Sequence, residues 1–139
     1  MSMSNATENQ VLKALLQGTD PSYRAGATQY LALVTDGGGA VSEASPVANE
    51  CTYTGYARVP LTKATAWTDN GSSFSNAGLI QFGKRTDGGA TQTATAFVVV
   101  DTANGAINMG IIGVLSASLA INQNIQPQFG AGDLTITAE

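Results

Sequence analysis

Histidine is absent from this 139-residue chain, and cysteine occurs once, as Cys51. Without histidine, the Ser-His-Asp and Cys-His catalytic arrangements and histidine-ligated metal sites are excluded. A single cysteine also excludes an internal disulfide and a cysteine cluster for zinc. The commonest routes to hydrolytic and metal chemistry are therefore closed to this protein.

Charge is scarce as well. Asp, Glu, Lys and Arg make up 12% of the residues, where about 25% is usual. The six basic residues are scattered and the net charge is -4, so we expect no nucleic-acid binding. The longest apolar stretch, 106–121, is interrupted by glycine, asparagine and serine, and we expect no membrane span. A weakly charged surface suits a permanent assembly.

Three remaining kinds of catalytic or ligand site find little support in the sequence. The glycines at 37–39 lack the Gly-Lys-Ser/Thr ending of a phosphate loop, and 69–72 lacks most ligands of a calcium loop. Carboxylates that could pair in the fold lie in predicted turns or at a strand end, away from any candidate nucleophile: Asp20, Asp36, Asp69, Asp87, Asp101 and Asp133. We expect no enzyme, no cofactor and no metal.

The first segment predicts a short amphipathic helix. Asn5 is a suitable capping residue with Glu8 three positions later, and Gly18 is a suitable stop. The apolar residues Val11, Leu12, Leu15 and Leu16 fall on one face. Three turns are marginal alone, so this stripe must be covered, either by the protein's own domain or by a neighbouring subunit. We expect it to lie at a subunit interface.

After residue 28 the periodicity changes from 3.6 to 2, which predicts strands. The predicted strands are 29–35, apolar on both faces, then 53–61, 79–82, 93–101, 107–115 and 134–138, and 116–121 either continues the strand 107–115 or forms another. Asn104-Gly105 is a hairpin signal, and Trp67 falls in a predicted loop. The pattern predicts an all-β fold: a single β-sandwich, jelly-roll or Greek-key like, of about seven or eight strands over 29–139. Residues 1–28 form the helix and its connecting arm.

A lone arginine, Arg58, lies inside the predicted strand 53–61. An unpaired arginine among small and apolar residues is costly. Glu50 is the nearest acidic residue in sequence, and we expect the two to form a structural ion pair. Three aromatic residues lie in this part of the chain: Tyr53 and Tyr56 in the predicted strand and Trp67 in the predicted loop. They could bind carbohydrate or pack in the core or an interface, and the sequence leaves both alternatives open.

The order of these features resembles a family of small tailed-phage virion proteins, often labelled tail fibre protein, with capsid decoration or cement proteins of similar build. The matching segments are A-T-E-N-Q-V-L-K-A-L-L at 6–16, Y-L-A-L at 30–33, Glu50 before G-Y-A-R at 55–58, I-Q-F at 80–82, F-V-V-V-D-T-A-N-G at 97–105 and F-G-A-G-D-L-T-I-T at 129–137. The tryptophan common before the hairpin is replaced near its place by Phe97.

The resemblance implies a structural virion protein without catalysis or cofactor. We expect a decoration or cement protein that binds the outer capsid surface as a homotrimer or homodimer and stabilises contacts between capsomers. Its partners would be the major capsid protein and itself, and it would be synthesised in the host cytoplasm. The alternative is a tail or fibre component that contacts the host surface or carbohydrate.

Overall fold

The computed structural model describes residues 2–35 and 40–137. Its elements are β1 (Ser2–Met3), α1 (Asn5–Gln17), a 3₁₀ turn (Ser22–Arg24), β2 (Thr28–Val34), β3 (Val59–Thr62), β4 (Trp67–Asp69), β5 (Ser73–Asn76), β6 (Ile80–Gln81), β7 (Gln92–Val100), β8 (Gly110–Ile121), β9 (Gln128–Phe129) and β10 (Thr135–Thr137). The predicted all-β, sandwich-like fold with one short amino-terminal helix is confirmed.

All strand pairs within the described residues are antiparallel, and they form sheets of five, three and two strands. The five-stranded sheet has the order β1-β8-β7-β2-β3, and the smaller sheets have the orders β10-β5-β4 and β6-β9. Four strands (β1, β4, β5 and β9) were not predicted, because two to four residues are too few to show a periodicity.

The centre of the large sheet is apolar on both faces, as the sequence of 29–35 predicts. Leu31 and Leu33 of β2 lie with Phe97 and Val99 of β7 in one buried cluster, which the small sheets complete with residues such as Ile80 of β6. The residues that alternate with these point to the opposite face and form a second buried cluster. On β2 and β7 its members are Ala32, Val34, Ala96, Val98 and Val100. The centre of the sheet is therefore covered on both sides, and β2 and β7 are two of its three interior strands, with β8 as the third.

The predicted strand 53–61 is wrong in its first half. Gly55 has a φ of 104°, and the Tyr56 N–H donates to the Tyr53 carbonyl, so the chain turns here. The strand begins only at Val59, and Pro60 then lies on the edge strand β3, where a residue without N–H is tolerated. As a result, Arg58 precedes the strand and is buried beside a loop.

Two further local expectations are corrected. Trp67 begins strand β4 and is not in a loop. The Asn104-Gly105 signal does lie between two antiparallel partners, β7 and β8, but the connection spans 101–109. The Asp101 carboxylate holds the end of this connection by accepting N–H bonds from Asn108 (2.9 Å) and Met109 (3.1 Å). The last strand covers Thr135–Thr137, and residue 138 of its predicted range lies outside the described residues.

Two backbone segments cross at Gly55 and Gly83 with no room for a side chain. A Cβ built at Gly83 would lie 1.8 Å from the Gly55 carbonyl oxygen, and one at Gly55 would lie 2.3 Å from the Lys84 carbonyl oxygen. Because both obstacles are backbone atoms, neither can rotate away. The crossing fixes the loop that carries Tyr53 and Tyr56 against the chain that follows β6.

We predict that Gly83→Ala lowers the free energy of unfolding by at least about 1–3 kcal/mol, since it forces the two backbones apart. Urea denaturation measures the change. Gly78→Ala is the matched control, because its Cβ would meet nothing within 4 Å and should change stability by no more than about 0.5 kcal/mol. Equal effects of the two substitutions would contradict the crossing.

Candidate functional site

The start of α1 is fixed to the body of the protein by polar contacts. Ser4 caps the helix: its hydroxyl oxygen accepts from the Thr7 N–H (3.2 Å), and its own N–H donates to the Gly110 carbonyl (2.8 Å). The Thr7 hydroxyl accepts from the Gly110 N–H (2.8 Å), and both side chains are buried. The predicted cap at Asn5 is therefore wrong by one residue, and Ser4 was an equally suitable capping type in the sequence.

The end of α1 is as expected. The helix ends at Gln17, and Gly18 follows with a φ of 66°, the left-handed conformation that favours glycine. Beyond it, 19–27 is an extended connection with one 3₁₀ turn before β2. The helix is thus held at its first turn and projects from that point.

The apolar stripe of α1 faces away from the protein. Leu12, Leu15 and Leu16 are 54%, 76% and 79% exposed, and Val11 is half-buried. We call the three exposed leucines the leucine face. Of the two alternatives left open by the sequence, burial of these leucines against the protein's own domain is not what the structure shows. The interface role of the stripe stays a prediction.

The structure brings Glu50 and Arg58 together. The Arg58 Nε and Nη2 donate to the two carboxylate oxygens of Glu50, each at 2.8 Å. The remaining guanidinium hydrogens reach Thr102 (carbonyl 2.9 Å, hydroxyl 3.0 Å) and the Gly105 carbonyl (2.9 Å). All five N–H groups of the guanidinium are therefore used. Glu50 reaches this position because 49–51 runs beside the end of β2, with a bridge between Val34 and Glu50.

Tyr56 extends this network to β2. Its hydroxyl donates to Glu50 Oε1 (2.7 Å) and accepts from the Leu33 N–H (3.1 Å). Burial, and then the hydrogen bond to Glu50, raise the pKa of the Tyr56 hydroxyl far above its usual range. The hydrogen bond to Glu50 likewise raises the pKa of Arg58. Arg58 stays charged and Tyr56 stays neutral at any physiological pH, which suits a structural role.

Cys51 lies next to this network and is buried. Burial, followed by the negative charge of Glu50, raises its pKa to about 11. The thiol is therefore protonated at neutral pH and is a poor nucleophile.

A second buried arginine was not anticipated. Arg85 donates to the Ile121 carbonyl (2.6 Å) and to Asp87 Oδ2 (2.6 Å from Nη2), while the other oxygen of Asp87 accepts from the Thr54 N–H (2.7 Å). The hydrogen bond from Arg85 is the largest cause that holds the pKa of Asp87 well below its usual range, and the hydrogen bond from the Thr54 N–H lowers it further. The sequence reads here as a polar turn, and no periodicity marks Arg85 as buried.

The aromatic residues mostly pack against one another. Tyr56 stacks on Phe82 with ring centroids 5.9 Å apart, and Phe82 meets Phe129 edge-to-face at 6.3 Å. Trp67 is half-buried and lines an apolar cavity of about 580 Å³, which we call the Trp67 groove. Its lining is Met3, Gln29, Lys63, Ala64, Trp67, Phe74, Val99, Ile111 and Ile136.

The aspartates predicted to lie in turns bond to nearby backbone or side chains, although Asp69 is the last residue of strand β4 and not in a turn. Asp69 accepts from the Gly71 N–H (2.8 Å), and Asp133 accepts from the Gly130 N–H (2.7 Å). Asp20 pairs with Arg24 at the surface. Asp36 and the glycines at 37–39 lie outside the described residues.

Within residues 2–35 and 40–137, no group of three His, Cys, Asp or Glu side chains is placed to hold a metal ion. In the same residues, no helix has the length and hydropathy of a membrane span.

The chain matches a known protein family over nearly its whole length. The Gp80 family model, described as podophage GP4 fiber I protein gp80, matches residues 2–137. The match begins at β1 and ends at the last residue of β10, so it includes α1, the three sheets and both buried arginines. No curated protein matches the chain.

We predict that Arg58→Ala lowers the free energy of unfolding by about 3–5 kcal/mol, because it leaves the carboxylate of Glu50 without its partner in a mostly buried site. Arg24→Ala is the control. The Arg24–Asp20 pair is 71% and 75% exposed, so its loss should cost less than about 1 kcal/mol. Chemical denaturation of both variants measures the two losses, and equal losses would contradict a structural role for the Glu50–Arg58 pair.

The Arg85–Asp87 contact predicts a pH dependence. The folded-state pKa of Asp87 is lowered, so its contribution to stability is present above the unfolded-state value of about 4 and is lost as pH falls. The stability gap between wild type and Asp87→Asn should be widest at neutral pH and should narrow below about pH 4. Asp69→Asn, at the exposed end of β4, is the control. Thermal unfolding from pH 7 to pH 2.5 tests this, and a constant gap would refute it.

Proposed function

Since this chain belongs to the family of podophage GP4 fiber I protein gp80 and is therefore a structural protein of a phage virion, we propose that it is a subunit of a tail fibre, joined to its neighbours through the leucine face of α1. The fibre assignment comes from the family description. The mode of attachment comes from the geometry of the helix.

The observation that carries the proposal is the exposure of Leu12, Leu15 and Leu16 on one helix face. Covering a leucine side chain is worth about 1.5–3 kcal/mol, so three leucines supply an appreciable part of an interface. The helix is already fixed by its buried first turn. Docking therefore costs little conformational entropy, which favours a specific contact.

A structural role also fits the rest of the described molecule. The five N–H groups of Arg58 are all bonded within the chain, so its guanidinium has no free N–H group for a ligand. Cys51 is a protonated, buried thiol. The Trp67 groove is mostly apolar, with Gln29 and Lys63 as its polar members, and a sugar would need more hydrogen-bonding partners. We therefore propose a structural subunit, neither an enzyme nor a carbohydrate-binding module.

The second candidate is the capsid decoration or cement role expected from the sequence. It is favoured by the low charge, 12% of residues, because many weak contacts repeated by symmetry can hold a cement protein on a capsid. In this role a homotrimer or homodimer would bind the major capsid protein on the outer surface. Here too the leucine face would be an interface.

Copy number and location separate the two candidates. A fibre subunit should be present in few copies per virion, and gold-labelled antibody should bind at the tail. A decoration protein should be present in numbers comparable to those of the major capsid protein, with label over the whole head. Quantitative mass spectrometry of purified virions and immunoelectron microscopy measure both.

We predict that a phage carrying Leu12→Asp with Leu16→Asp produces virions that lack this protein, because the charges prevent burial of the leucine face. The purified variant should keep the wild-type melting temperature within a few degrees, since both side chains are more than half exposed. Leu79→Asp, at another exposed leucine, is the control and should enter virions normally.

Point substitutions are needed because a deletion would remove more than the leucine face. Ser2–Met3 pairs with β8 at Ile111 and Ile112, and Ser4 and Thr7 bond to Gly110. Removing residues 1–18 would expose this part of the sheet. Normal incorporation of the double aspartate variant would overturn the attachment through α1.

A further inference from the structure

The chain carries two apolar surfaces that are opposite in shape. The leucine face is convex, on one side of a 13-residue helix. The Trp67 groove is concave, and its apolar members include Trp67, Phe74 and Ile136. Phe74 is 45% exposed at the groove. The two surfaces are therefore complementary in shape, and contact between them would bury both from water.

The two surfaces do not cover each other within one copy. The leucines of α1 remain exposed while the first turn of the helix is held at Gly110, the start of β8. A contact between them therefore requires a second copy. Such a contact is either reciprocal, in a two-fold dimer in which each copy gives its helix to the other, or head-to-tail, in a closed ring or a filament.

Charge favours the same pairing. Glu8 is exposed and lies one turn before Leu12 on the same side of the helix, because residues four apart are neighbours on a helix surface. Lys63 lies at the groove, where its ammonium group donates to the Tyr23 carbonyl. An ammonium has three N–H donors, so Lys63 keeps donors for a carboxylate. Glu8 of one copy over Lys63 of the next would align Leu12 and Leu15 with the apolar lining.

We propose that the leucine face of one copy docks in the Trp67 groove of a second copy, with Glu8 placed over Lys63. This inference rests on the proposed attachment through α1 and names its partner. The partner is another copy of the same chain.

The test compares the solution mass of purified full-length variants at a concentration where the wild type is oligomeric. The helix variant is Leu12→Asp with Leu16→Asp, and the groove variant is Ala64→Glu, an exposed lining position beside Lys63. Each variant alone should be monomeric with wild-type circular dichroism. Their mixture should give dimers, because one intact groove then meets one intact helix. Leu79→Asp should assemble as the wild type does.

A cross-link gives an independent reading of the same contact. Cys51 is buried, so engineered surface cysteines can be oxidised selectively. A mixture of Leu16→Cys and Phe74→Cys proteins should form a disulfide-linked dimer, and neither protein alone should do so. Phe74→Ser without a cross-link should weaken assembly by at least about tenfold in dissociation constant.

The outcomes separate this inference from the proposed function. If the wild type is monomeric, or if the mixture of helix and groove variants stays monomeric, docking on a second copy is refuted. If in addition the helix variant is absent from virions while the groove variant enters them normally, the attachment through α1 stands and its partner is a different virion protein. Dimers of the helix variant alone would indicate another self-contact and would also overturn the inference.

Discussion

The guanidinium of Arg58 joins three segments of the chain that are otherwise separate. It binds the carboxylate of Glu50 beside the end of β2, and it binds carbonyl groups at Thr102 and Gly105 in the β7–β8 connection. Through Glu50 and Tyr56 the same network reaches the backbone of Leu33 in the central strand. The irregular chain from 50 to 58 has few regular backbone partners, so these side-chain bonds largely determine its path.

A buried ion pair adds little net stability over a well-packed apolar pair, because both charges lose their hydration. Its effect is that only one arrangement satisfies every donor. In this protein the described buried side-chain N and O atoms all have a partner, and Arg85 repeats the principle at the other side of the Tyr53–Tyr56 loop through Asp87 and Thr54. Two of the six basic residues are thus inside the molecule, which lowers the surface charge further. Between Asp101 and Asp133 no residue is charged.

The parts of the fold that could be predicted are those where one physical signal dominates. β2 and β7 were predicted because their residues are apolar on both faces, and α1 because its apolar residues repeat every three or four positions. The Glu50–Arg58 contact followed from the cost of a lone arginine among small residues. The turn at Gly55 was missed because aromatic and small residues alternate across it as they would in a strand. β4 and Arg85 were missed because three residues show no period, and because burial of an arginine depends on partners distant in sequence, Ile121 among them.

The candidate site shows the same division between local and distant causes. The sequence marks the apolar stripe of α1 but does not indicate the direction in which it faces. That direction is set by Ser4 and Thr7, whose bonds to Gly110 fix the helix by polar contacts at its first turn. A helix attached through its polar first turn leaves its apolar side free, whereas one attached through its leucines would have buried them. The exposed leucines are therefore a consequence of how the helix is anchored, and this anchoring also holds them ready for a partner without further ordering of the backbone.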